Sequence, residues 1–160
     1  MAIATFGAGC FWGVEQFFKE LDGVTSAVCG YMGGDQDNPS YEQVKTGETG
    51  HAEVVQVEFD EARISYQQLL DTFWQFHNPT TLNQQGEDHG SQYRSVVFFH
   101  DETQRDTAEA SKAHQQAEGY WKDKTIVTAI EPVTNFFRAE EYHQGYFDKH
   151  DLPSCHIALY

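Results

Sequence analysis

Cys10 stands in Gly9-Cys10-Phe11-Trp12-Gly13, where a short hydrophobic strand gives way to a helix. The first turn of a helix carries unpaired N–H groups and partial positive charge, so a thiol at that junction is drawn toward thiolate and becomes a nucleophile. Phe11 and Trp12, next in the chain, supply an apolar surface that can hold a small greasy reacting group against the sulfur. A cysteine near a strand end is also, commonly, a small buried core residue. The junction alone leaves both readings open.

Proton and hydrogen-bond donors stand elsewhere in the chain. Gly47-Glu48-Thr49-Gly50-His51-Ala52-Glu53 leads into a strand, and the period of two puts the side chains of His51 and Glu53 on the same side. Buried beside aromatics, Glu53 would have its pKa lifted from about 4.3 toward neutrality and could donate a proton. The plainer alternative is a solvated strand-end glutamate. Gly86-Glu87-Asp88-His89-Gly90-Ser91-Gln92-Tyr93-Arg94-Ser95 crowds polar side chains into the mouth of an apolar strand, where they need partners. Tyr93, and Tyr41 from Pro39-Ser40-Tyr41, can each offer a phenolic hydrogen bond into a pocket, and Asp88 can orient a backbone, a water or another side chain. For either tyrosine the alternative is a packing residue with its hydroxyl in solvent. Glu140-Glu141-Tyr142-His143-Gln144 reads as the polar end of a surface helix. Cys29, inside an apparent strand, reads as an inert buried thiol. Cys155 lies in a C-terminal tail, and a mobile tail can deliver a second thiol to an oxidised first one.

The elements that must position these groups follow from pattern. Residues 2–6 read as a strand, 7–9 as a turn, and 11–21 as a helix with Trp12, Phe17, Phe18 and Leu21 as its apolar positions, stopped by Asp22-Gly23. Residues 24–32 look extended, Gly33-Gly34 opens a loop over 33–40, and 40–45 make one or two helical turns capped by Ser40. Over 51–60, Val55, Val57 and Phe59 alternate with Gln56 and Glu58, as in a half-buried strand. A helix over 65–76 carries Leu69, Leu70, Phe73 and Trp74 and ends at Asn78-Pro79; a polar loop fills 83–90. A second strand over 93–100 is built on Val96, Val97, Phe98 and Phe99, followed by a polar helix over 101–119, a strand over 125–132, a last helix over 140–149 and a tail over 151–160. This alternation predicts an α/β (α+β) fold, a ferredoxin-like two-layer plait with helices packed on a mixed sheet. The loops over 33–40 and 83–90 are where a site would assemble around Cys10.

The 160 residues suffice for one sizeable core and one domain over 1–160. The 25 Asp and Glu against 10 Lys and Arg give a net charge of −15, which repels nucleic acid and anionic membrane surfaces. With no long apolar run and no signal-peptide pattern, the chain reads as a soluble protein of the cytoplasm. Three scattered cysteines and no C-x-x-C pair argue against a disulfide framework and give structural zinc little support.

Taken in order from Gly9-Cys10-Phe11-Trp12-Gly13 through Gly30-Tyr31-Met32-Gly33-Gly34, Tyr41, the segment 47–53 and the segment 88–95 to Glu141-Tyr142-His143-Gln144, nearly the whole chain resembles the A-type peptide methionine sulfoxide reductases. The resemblance implies a reductase returning methionine sulfoxide, free or in proteins, to methionine, with preference for the S epimer at sulfur. It implies no bound metal or cofactor, and a monomer that takes electrons from thioredoxin or a small dithiol. Carried over by position, Cys10 is the nucleophile, Phe11 and Trp12 hold the substrate methyl group, and Gly50 and His51 belong to the substrate-binding region. Glu53 is the acid, Tyr41 and Tyr93 hydrogen-bond the sulfoxide oxygen, Asp88 supports the site through hydrogen bonds, and Cys155 resolves the oxidised Cys10. The tail departs from the family: many members carry glycines around the resolving cysteine, whereas here it reads Leu152-Pro153-Ser154-Cys155-His156. Cys29 leaves a relay or a different resolver open. Two other functions fit parts of the pattern: a cysteine hydrolase using Cys10 with His51 and a carboxylate, and a non-catalytic methionine- or peptide-binding module.

Overall fold

The computed structural model describes residues 2–146. Runs of β-branched and aromatic residues form the long strands β1 (Ala2–Ala8), β2 (Val24–Met32), β3 (Ala52–Phe59) and β6 (Ser95–Phe99). Shorter strands are β4 (Gln84–Gln85), β5 (Asp88–His89), β7 (Ala129–Pro132) and β8 (Phe137–Arg138); the helices are α1 (Phe11–Lys19), α2 (Tyr41–Lys45), α3 (Tyr66–Gln75) and α4 (Glu102–Glu118). Six strands make one mixed sheet in the order β7-β6-β1-β3-β2-β8, and β4 and β5 pair as a separate hairpin. Among the described residues only the β6–β7 pairing is parallel.

Local chemistry starts the helices. Ser40 and Ser65 each receive the N–H three residues on while Gln43 and Gln68 reach back, a reciprocal cap for α2 and α3, and Asp101 caps α4 by accepting from the Gln104 N–H. At the start of α1 no side chain caps the helix, and the residue there is Cys10.

One face of the sheet carries the main core. Phe6 of β1 stacks against Phe18 of α1 at 4.9 Å between ring centroids and meets Phe73 of α3 at 5.3 Å; each such ring, fully buried, contributes roughly 1.5–3 kcal/mol. On this face β3 presents Val55, Val57 and Phe59, as the alternation predicts. Its first half is buried on the opposite face too, where Ala52 and Val54 join Met32, Val96 and Phe98 beneath Val133 and Phe136. No helix among the described residues is long and apolar enough to cross a membrane.

Specific hydrogen bonds explain where elements depart from the sequence pattern. The expected polar loop over 83–90 holds the β4–β5 hairpin, closed by the Gly90 N–H on the Asn83 carbonyl. Tyr93 closes a 3-10 turn over Ser91–Tyr93 instead of opening the strand, because Gly90 at φ 135° bends the chain there and the Gly90 carbonyl accepts the Tyr93 N–H. The strand expected from residue 125 begins only at Ala129, since the Val127 N–H is taken by the Pro79 carbonyl and the Ile126 N–H by the Gln116 side chain. The described part of the expected helix over 140–149 is a 3-10 turn over Glu141–His143, preceded by the unforeseen β8. There the Gln144 amide brackets Cys29, accepting its N–H and donating to its carbonyl, both at 2.9 Å. A side chain that completes a sheet edge in this way competes directly with helix formation.

Gly34 lies against the loop that leads into β3: its N–H donates to His51 Nδ1, and a Cβ added to it would overlap the His51 nitrogen and the Thr49 carbonyl oxygen. Backbone cannot give way as a flexible side-chain end can. Gly34→Ala is expected to cost about 1–3 kcal/mol and lower the melting temperature by roughly 5 °C in a thermal unfolding scan, whereas Gly86→Ala, which meets no neighbour within 4 Å, serves as the control for backbone strain alone.

Candidate functional site

Gly9, at φ 96°, turns the chain out of β1 and delivers Cys10 to the cap of α1 with φ −58° and ψ 121°. Cys10 is half-buried, at a helix end where the backbone dipole favours negative charge on a side chain. The next N–H, that of Phe11, donates to Glu53 Oε1 at 3.2 Å. A carboxyl from the middle strand is thereby brought to the start of the cysteine's helix.

Glu53 is 1% exposed, and its second oxygen, Oε2, is buried with no hydrogen-bond partner among the described residues. Burial pushes its pKa up to about 8, against the lowering effect of the Phe11 N–H and with a further rise from the charge of Asp88. Below that pH the group is a carboxylic acid with a proton to give. Neutral Glu53 also leaves a thiolate at Cys10 unopposed, whereas two anions side by side would repel.

Tyr41 opens α2, held by its own N–H, which donates to Glu140 Oε2 at 3.0 Å; the other oxygen of Glu140 accepts the Tyr31 hydroxyl at 2.9 Å. Its ring lies 6.4 Å from those of Phe11 and Trp12. Burial, helped by the charges of Glu53 and Cys10, pushes the Tyr41 hydroxyl up to about 12. Tyr93 is shifted the same way, by burial first and then by Glu53, Tyr41, Asp88 and Cys10. Both phenols therefore remain donors throughout the neutral range. Asp88, on the exposed β5 strand, makes no side-chain hydrogen bond among the described residues and reaches Glu53 and Tyr93 through its charge.

Gly50, at φ 77°, makes the turn that places His51 before β3. His51 is 2% exposed and both ring nitrogens are engaged: Nδ1 accepts the Gly34 N–H at 3.0 Å and Nε2 donates to the Gln36 carbonyl at 2.6 Å. It clamps two loops together and has no nitrogen left to take a proton from Cys10. Phe11 is fully buried, while Trp12 is partly exposed, its indole N–H donating to His143 Nδ1 at 2.9 Å and its face covered by Tyr146 at 3.7 Å. Cys29 is buried and donates to the Phe11 carbonyl at 3.5 Å; burial first, then the Glu15 charge and hydrogen bond, raises its pKa well above the usual thiol value. Cys155 lies outside the described residues.

Four residues of this neighbourhood escape the sequence pattern. Glu140, His143 and Gln144 stand where a solvated helix end is expected, yet all three turn inward to Tyr41, Trp12 and Cys29. Glu15, 2% exposed, accepts the Gly145 N–H at 2.8 Å. Its place on α1 was legible, since helical spacing puts it on the same buried stripe as Phe11 and Phe18.

The site thus holds a thiol at a helix start, a buried acid bonded to that start and two phenols whose titration responds to the charges of both. The family model for peptide methionine sulfoxide reductase matches residues 2–160. The chain belongs to the peptide methionine sulfoxide reductase family. It is 55% identical to the peptide methionine sulfoxide reductase MsrA of Methanothermobacter thermautotrophicus over 96% of this chain and 90% of that protein. With the MsrA of Acidobacterium capsulatum it shares 51% identity, over 98% of this chain and all of the relative. Among solved structures, reduced Mxr1 from Saccharomyces cerevisiae superposes with a TM-score of 0.91 at 38% identity, covering 98% of this chain and 91% of Mxr1. Among the described residues no group of three or more His, Cys, Asp or Glu is arranged to hold a metal ion.

The buried acid has a thermodynamic signature. A carboxyl whose folded pKa is raised binds its proton more tightly when folded, so its contribution is fully present below the unfolded value near 4.3 and is lost as pH rises through about 8. Denaturant titrations of Glu53→Gln are expected to match the parent protein near pH 4 and to exceed it by a few kcal/mol, roughly, near pH 9. A stability difference independent of pH would mean that Glu53 is not a buried acid.

Proposed function

We propose that the chain reduces methionine sulfoxide, free and in proteins, to methionine, with Cys10 as the oxygen-accepting nucleophile. The observation that carries the reading is the buried Glu53 acid, hydrogen-bonded to the first N–H of the helix that Cys10 caps. A sulfoxide sulfur is a poor electrophile until its oxygen is protonated or strongly hydrogen-bonded. Glu53 supplies the proton, Tyr41 and Tyr93 supply hydrogen bonds, and Asp88 helps keep the acid protonated by its charge. Phe11 and Trp12 receive the methyl group, and Gly50 and His51 shape the loop beside them. The S epimer at sulfur is assigned from the family resemblance.

The step balances as follows. The Cys10 thiolate forms a new S–O bond as the sulfoxide S–O bond breaks, the proton of Glu53 ends on the oxygen, and methionine leaves with Cys10 oxidised to sulfenic acid. A second thiol, which we assign to Cys155, then attacks the Cys10 sulfur and expels water, giving a disulfide. The raised pKa and burial of Cys29 make it the weaker resolver. Two electrons and two protons from a dithiol restore the enzyme, and a thioredoxin is the reductant we favour: Mxr1 in complex with Trx2 superposes on 98% of this chain with a TM-score of 0.66 at 28% identity. Residues 1–160 are read as one reductase domain on a ferredoxin-like two-layer plait. A hydrolase would need a general base at Cys10, and both nitrogens of His51 are engaged elsewhere.

Stopped-flow measurement of the oxygen-transfer step should show the rate falling as pH rises through about 8, as Glu53 loses its proton. Glu53→Gln is expected to be slower by about 10²–10⁴ and to lack that limb; a wild-type rate that stays flat above pH 8 would count against Glu53 as the acid. After one equivalent of methionine sulfoxide, intact mass should fall by two hydrogens and peptide mapping should link Cys10 to Cys155. Cys155→Ser should still release one equivalent of methionine and then stall, and Cys10→Ser should release none. Methionine release from Cys10→Ser at the parent rate would remove Cys10 from the reaction.

A further inference from the structure

The reaction above leaves one motif of the sequence unused, Glu141-Tyr142-His143-Gln144. We infer that His143 is a positioning residue, whose Nδ1 holds the indole of Trp12, and with it the methyl-binding wall, in place through the 2.9 Å bond from Trp12 Nε1–H. The inference rests on the reading of Trp12 as that wall.

Trp12 follows Cys10 by two residues and is only partly buried, packed against the edge of the main core, so bonds from outside that core also bear on its ring orientation. Two contacts fix it, and both come from the far end of the described chain: His143 in the plane of the indole and Tyr146 stacked on its face with an interplanar angle of 5°. His143 itself is rigidly seated. It is 0% exposed and packed among the rings of Tyr41 at 4.4 Å and Phe11 at 5.1 Å. Glu140 beside it is tied to Tyr41 and Tyr31, Gln144 to Cys29, and Gly145 to Glu15.

Accepting the indole proton requires an unprotonated Nδ1, so the proton of the neutral imidazole sits on Nε2. Burial works in that direction by pushing the imidazole pKa down, against the charge of Glu140. Nε2 is buried and has no hydrogen-bond partner among the described residues. A phenylalanine or leucine would fill the space without burying an unpartnered ring nitrogen. Packing therefore does not account for an imidazole here, whereas the need for an acceptor in the plane of Trp12 does.

The test combines kinetics with the indole ¹⁵N–¹H resonance of Trp12. His143→Phe keeps a ring and removes the acceptor; it should raise the KM for a methionine sulfoxide peptide about tenfold, with a smaller change in kcat, and move the Trp12 resonance away from its hydrogen-bonded position. His143→Asn, whose Oδ1 takes the place of Nδ1, should restore both. An unmoved resonance or unchanged KM in His143→Phe overturns the inference, as does an asparagine variant that restores neither. Trp12→Leu separates the two readings: a raised KM there beside a normal His143→Phe defeats only the role of His143, and an unchanged KM defeats the wall itself and the inference with it.

Discussion

Everything in the site is arranged around one hydrogen bond, from the Phe11 N–H at the start of α1 to Glu53 Oε1 on β3. It requires that β1 end where it does, that Gly9 turn at positive φ, and that β3 lie beside β1 in the register that pairs Phe6 with Val55. The bond uses one oxygen of the carboxyl to satisfy a helix N–H and leaves the other unpartnered. In water such an acid would ionise near pH 4. Enclosed between a helix start and a sheet, it keeps its proton to about pH 8, because the energy of burying the charge exceeds what a single N–H returns.

The same burial sets the division of labour between charge and proton. A helix start favours an anion, and with the carboxyl beside it neutral that place is left to the sulfur of Cys10, the nucleophile we propose. Were Glu53 ionised, the helix dipole would be shared between two negative groups and neither the thiolate nor the proton donor would be available. Tyr41 and Tyr93, both shifted upward by burial and by the charges around them, cannot compete as anions. They remain hydrogen-bond donors, a role that a developing charge on oxygen needs.

Much of this was legible from residue types. The period of two over β3 predicted the strand and put Glu53 on the same side as His51 while leaving open whether it was buried, and Ser40 and Ser65 marked two helix starts correctly, because local caps and alternation are written into neighbouring residues. What stayed hidden depends on contacts between distant segments. The stretch around Glu140 has the composition of a solvated helix, yet its side chains close the sheet edge at Cys29, anchor Tyr41 and hold Trp12. No local pattern encodes a partner about a hundred residues away. The hydrogen-bonding role that the resemblance implies for Asp88 has no side-chain bond behind it among the described residues, and its influence on Glu53 is exerted by charge. His51 shows the reverse case: a residue type that suggests catalysis is used as a clamp between loops.

The central claim is that Glu53 is a carboxylic acid at neutral pH, and its carboxyl can be observed directly. With ¹³C-labelled glutamate and Glu53→Gln to assign the resonance, the side-chain carboxyl shift of the reduced protein can be followed from acid to alkaline pH. The account predicts a single titration step for Glu53 centred near pH 8. A Glu53 carboxyl already ionised near pH 5, in the ordinary range of a solvated glutamate, would contradict it.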